Sequence, residues 1–171
     1  KIVENGSFTP NKTLQEQLDS RRQLDHAVPP EGQMCENAEG IYDKACAATV
    51  VIVNLVYVPE QDDYVVGEAG SGFIVSPEGL VVTNYHVMGK QDATTFVAML
   101  RDGRIVPVLE VMAALKEHDV AVVRLGKPDE QPLPVMPIAR DAEVGERVHI
   151  VGHPGHRFWR YSSGHIARFF G

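Results

Sequence analysis

At 171 residues the chain can bury a core as one domain, although enzymes built from two complete β-barrels usually run longer. Hydrophobic residues make up 44% and charged residues 23%, which argues against a disordered or fibrous chain. A formal charge of −7 with no basic stripe interleaved with aromatics argues against a nucleic-acid partner, and the apolar run from Ala45 to Val53 is far short of the ~20 residues of a membrane-spanning helix.

The sequence opens on Lys1 with no apolar stretch behind it, so any secretory leader or tag is expected to have been removed. The helix formers from Thr13 to about Ala27 predict one helix, with Thr13 and Glu16 at capping-box spacing and Leu14, Leu18 and Leu24 on a partial stripe. Pro29 and Pro30 stop it, which makes residues 1–34 read as a helical extension ahead of the main domain. Cys35 and Cys46 are the only cysteines, and their spacing fits neither a CxxC redox pair nor a zinc-ribbon half-site. In an oxidising compartment they could close one small disulfide loop; two unpaired thiols are the alternative.

From Ala47 onward β-branched runs alternate with turn residues. They cover 48–58, 70–76, 80–88, 94–100, 104–115, 119–125 and 147–153, and Ala167–Gly171 reads as a further strand. Pro77-Glu78-Gly79, Asp102-Gly103 and Gly126-Lys127-Pro128 supply turns between them. No segment of βαβ length separates successive strands, so an all-β, closed antiparallel barrel is predicted in place of a parallel sheet.

Gly70-Ser71-Gly72-Phe73-Ile74-Val75, a turn, and Thr83-Asn84-Tyr85-His86-Val87 are followed by Asp119-Val120-Ala121-Val122. In this order the segments resemble trypsin-like serine peptidases of the HtrA (Deg) type, and the resemblance runs over about 41–171. It implies a chymotrypsin-like fold, with a first β-barrel over 35–140 and the opening strands of a second over 141–171. It also implies catalytic roles for His86 and Asp119. A serine hydroxyl needs an imidazole to take its proton and return it to the leaving amine, and a carboxylate on the other ring nitrogen fixes the tautomer. No metal or organic cofactor enters such chemistry.

The nucleophile of this family sits in Gly-x-Ser-Gly-Gly, whose glycines allow the tight turn that builds the oxyanion hole. That motif does not occur here. Ser71 lies upstream of His86, and Ser162-Ser163-Gly164 lacks the second glycine and reads as a strand. The chain is therefore expected to end before its nucleophile. His149, His153, His156 and His165 fall within 17 residues but without recognised ligand spacing, so a metal site there is not expected. The resemblance further implies polypeptide substrates, among them unfolded proteins, an extracytoplasmic location and a homotrimer. A catalytically inactive relative that uses the scaffold for binding is the alternative.

Overall fold

The computed structural model describes residues 8–25, 38–126, 132–139 and 141–169. It is mostly β. Six strands close an antiparallel barrel: β1 (Thr49–Val58), β2 (Asp63–Ile74), β3 (Leu80–Thr83), β4 (Thr95–Met99), β5 (Ile105–Leu115) and β6 (Val120–Leu125), in the spatial order β1-β2-β3-β6-β5-β4. Pairing of Val51–Leu55 with Met99–Thr95 joins β1 to β4 and removes the free sheet edges. A separate two-stranded sheet holds β7 (Arg147–Gly152) and β8 (Arg160–His165). This is the architecture expected of a chymotrypsin-fold half.

Alternation along the strands decides what fills the barrel. Val50 and Ile52 on β1, Ile74 on β2, Val81 on β3 and Phe96 on β4 are fully buried, each contributing about 1.5–3 kcal/mol. Between Val53 and Leu55 the register of β1 against β2 shifts. The buried Asn54 occupies this bulge and accepts the Glu68 N–H at 2.5 Å. Gly67 is required beside it, because a Cβ there would come within 2.6 Å of the Asn54 amide.

The helix α1 (Asn11–Ser20) is shorter than its composition predicts, and Pro10, not Thr13, precedes its first residue. It ends because Arg21 turns extended: the Arg21 carbonyl accepts the Ala114 N–H at 2.8 Å, and its guanidinium reaches Glu110 and the Val111 carbonyl. Far from lying apart, α1 places Leu14 and Leu18, 0% and 1% exposed, in the barrel's own core.

Three further local readings are corrected. A second helix, α2 (Ala38–Ala48), runs directly into β1, so the Ala48 start read for the first strand is helical. Its end is tied by the Thr49 hydroxyl to the Ala45 carbonyl at 2.7 Å. The strand read through Met88 stops at Thr83, and Tyr85–Met88 form one helical turn, α3. Among the described residues the last strand is Arg160–His165, and 166–169, read as part of a further strand, lie outside any strand. Cys46 is buried on α2, whereas Cys35 lies outside the described residues.

Candidate active site

The antiparallel pairing of β3 with β6 sets Thr83 opposite Ala121. The chain leaves β3 just past Thr83 and enters β6 just before Ala121, so the segments on either side, carrying His86 and Asp119, share one end of the barrel. Thr83 fixes the exit by donating its hydroxyl to the Ser71 carbonyl at 2.8 Å. Gly70 then lets α3 approach: a Cβ at that position would stand 2.6 Å from Val87 Cγ1 and closer still to Cγ2. A glycine on β2 thereby sets how near the His86 turn lies to the barrel wall.

Asp119 follows a 3-10 turn at Lys116–His118 and adopts a left-handed conformation, φ 51 and ψ 42. Aspartate tolerates this region better than most residues, and here it turns the carboxylate back towards α3. Oδ1 accepts the His86 backbone N–H at 2.9 Å, while Oδ2 meets His86 Nδ1 at 2.7 Å and the Asn84 amide at 3.2 Å. Asn84 also donates to the Asp119 carbonyl at 3.0 Å. The His86 backbone N–H, followed by the imidazole and Asn84, holds the Asp119 carboxyl below its usual range. An ionised carboxylate can only accept, so Nδ1 carries the proton and Nε2 is the acceptor nitrogen of the ring. The Asp119 side chain is 45% exposed and that of His86 67%.

His86 lines a cleft of about 510 Å³ between the barrel and the β7–β8 sheet. Glu68, Gly70 and Val87 contribute from the barrel side, and Ile150, His153 and Ser162 from the other. At its rim Lys90 and Glu68 pair at 2.7 Å, and the Lys90 ammonium holds the Glu68 carboxyl low. Ser71 is engaged as a tie between the sheets, its Oγ accepting the His153 N–H at 3.0 Å. Ser162 lines the cleft, while alternation along β8 turns Ser163 to the opposite face.

Two of the histidines grouped by sequence, His149 and His153, have separate surroundings. His149 Nδ1 bonds the Tyr161 hydroxyl, and buried His153 accepts the Trp159 backbone N–H at 3.0 Å. Among the described residues no three His, Cys, Asp or Glu side chains gather as a metal set. Asn84 is the site residue that sequence reasoning left without a role. Its signal was its place in Thr-Asn-x-His, immediately after the strand that delivers the histidine.

The profile of the trypsin-like peptidase domain matches residues 70–171, more than half of the chain and inclusive of His86 and Asp119. The chain belongs to this peptidase family. Over 99 residues, 57% of its length, it is 35% identical to HhoA of Synechocystis sp., named as a serine protease, and covers 24% of that protein. The mitochondrial serine protease HTRA2 of Bos taurus is 34% identical over 116 residues, 67% of this chain and 24% of its own. Protease Do-like 1 of the Arabidopsis thaliana chloroplast is 34% identical over 88 residues, 50% of this chain and 19% of its own. The chain thus spans a quarter or less of the length of these relatives.

Proposed function

We propose that this chain is the His/Asp-bearing part of a serine endopeptidase of the HtrA type. In this reading His86 is the general base and later the general acid. Asp119 fixes its tautomer and stabilises the imidazolium formed during acyl transfer. The observation that carries the reading is the double grip of one carboxylate on both the backbone and the ring of His86. A residue held at its backbone and at its ring keeps Nε2 aimed at one place in the cleft, as proton transfer to and from a serine demands.

Residues 35–140 would form the first barrel, and 141–171 would begin the second. The nucleophile and oxyanion hole would come from a later part of the gene product. Polypeptides, including unfolded ones, are the substrate class; an extracytoplasmic site and a homotrimer follow from the resemblance to HtrA proteins. No metal or organic cofactor is needed for the chemistry.

The decisive experiment reads the gene downstream for Gly-x-Ser-Gly-Gly and expresses a chain that includes it. Labelling of that serine by a fluorophosphonate, with peptidase turnover that falls by several orders of magnitude in His86→Ala, is the expected result. Absence of the motif, or turnover indifferent to His86, overturns the reading in favour of a binding scaffold.

A further inference from the structure

A single helical turn cannot satisfy its own C-terminal carbonyls. In α3 the Tyr85 carbonyl takes the Gly89 N–H at 2.9 Å, but the Met88 carbonyl is capped from outside, by Gln15 Nε2 of α1 at 2.7 Å. Just beyond the turn, the Lys90 carbonyl receives Asn11 Nδ2 at 3.0 Å. At the other end of α3, the Tyr85 hydroxyl donates to Asp19 Oδ1 at 2.8 Å. Gln15 is itself braced by Asn11 Oδ1 at 2.9 Å and by the Gln91 amide at 3.2 Å.

Three of the four residues of α3 are therefore fixed by neighbours: Tyr85 to Asp19, Val87 against Gly70, and Met88 to Gln15 and, through its fully buried side chain, to the core shared with Leu14 and Leu18. His86 is the fourth, and its place follows from theirs. We infer that α1 is a positioning element for His86, with Gln15 as the positioning residue that caps its turn and Asp19 as the brace at its start. Residues ahead of the barrel thus decide whether the imidazole meets Asp119.

Gln15 is suited to this role because it offers both a donor and an acceptor on a stem that spans from α1 to the turn. A side chain of the same length without a donor keeps the packing and loses the cap. An ammonium on a flexible stem one bond longer restores a donor. The pair of substitutions Gln15→Met and Gln15→Lys therefore separates capping from packing.

The inference rests on the proposed role of His86 for its functional meaning, but the test reads geometry in the 171-residue chain. The His86 Nδ1 proton, held against the Asp119 carboxylate, is followed by NMR, with amide-exchange protection of β4 and β5 as the control for folding. The resonance is expected to be lost through rapid exchange in Gln15→Met and retained in Gln15→Lys, with β4 and β5 protected in both. Tyr85→Phe, which cannot reach Asp19, is expected to weaken it independently. Retention of the resonance in Gln15→Met, or its loss in Gln15→Lys with protection unchanged, overturns the inference. In a chain extended to include a nucleophile, Gln15→Met lowers kcat by about 10²-fold with KM little altered. If that chain ignores His86→Ala, the proposed function fails while the NMR result still decides the positioning.

Discussion

Val87 occupies the space that a side chain on Gly70 would need, so the turn bearing His86 rests directly on the backbone of β2. Gly70→Ala must push that turn outwards or strain β2. It is expected to destabilise the chain by about 1–3 kcal/mol, the usual range for an overpacked contact. Val87→Ala frees the volume, so the double variant should recover most of the loss. Urea unfolding of the two single variants and the double variant measures this coupling, and additive losses would show that the two residues do not compete for space.

Asp119→Asn preserves shape but replaces an acceptor oxygen by a donor. Three donors, from the His86 backbone, the His86 ring and Asn84, converge on the carboxylate. An amide can accept on one side only, so either the His86 backbone N–H loses its acceptor or the ring must lose its partner or flip its tautomer. In a nucleophile-bearing chain the expected loss in kcat is about 10⁴-fold, the magnitude for this change in the Ser-His-Asp template. A pH series adds a sign. The Asp119 carboxyl is held below its ordinary 3.8, so the anchor is fully present above that value and is lost as pH falls through the lowered one. The carboxyl carbon shift of Asp119 should therefore report a group more than half ionised at pH 3.8.

The strands were legible because β-branched runs such as Val50–Val53 and Val120–Val123 have few other places to go, and the order of the motifs identified the partners His86 and Asp119. What escaped were features set by tertiary contact. Asp63–Glu68 escaped because Tyr64-Val65-Val66 is a short run between Asp63 and Gly67, and most side chains of this half of β2 face solvent. α2 escaped because Ala47 and Ala48 pass into Thr49 with no turn residue to mark the change. The early end of α1 depends on Arg21 reaching Glu110, some ninety residues away, and local propensity holds no trace of that. The backbone of Asp119 likewise turns left-handed to meet a ring on another segment.

Two kinds of interaction fasten α1, and their sizes differ. Glu110 bridges Arg21 and Arg124 at 2.6 Å each, and Arg124, then Arg21, draw its carboxyl low. All three groups remain partly exposed, so screening limits each pair to roughly 0.2–1 kcal/mol. Leu18 is 1% exposed, and Leu18→Ala removes buried volume at a cost of about 2–5 kcal/mol. Denaturant midpoints should thus fall several times further for Leu18→Ala than for Glu110→Gln. Equal losses would mean that the ion pairs, not the core, hold the helix.

His153 joins the β7–β8 sheet to the barrel. Its backbone N–H reaches Ser71 Oγ, its Nδ1 accepts the Trp159 N–H, and Trp159 Nε1 donates to the Thr49 carbonyl at 3.2 Å. Arg101 lies over the indole at 4.9 Å. Burial pushes the imidazole below its ordinary 6.5, and the Val50 backbone offsets this only in part. Because Nδ1 accepts, an added proton would face the Trp159 N–H donor to donor. Between the lowered folded value and 6.5 the unfolded chain binds more protons, so stability rises with pH there. The stabilisation from neutral His153 is complete above about 6.5 and fades as pH falls, by no more than about 1.4 kcal/mol per pH unit for one proton. Trp159 is the sole tryptophan, so its emission reports this joint alone. Its emission should change as pH falls below 6.5 while barrel circular dichroism stays constant. His153→Phe keeps a ring but leaves the Trp159 N–H without its acceptor. It should lower stability by about 1–3 kcal/mol at neutral pH and flatten the acid response. If the variant titrates like the parent, another group governs the joint.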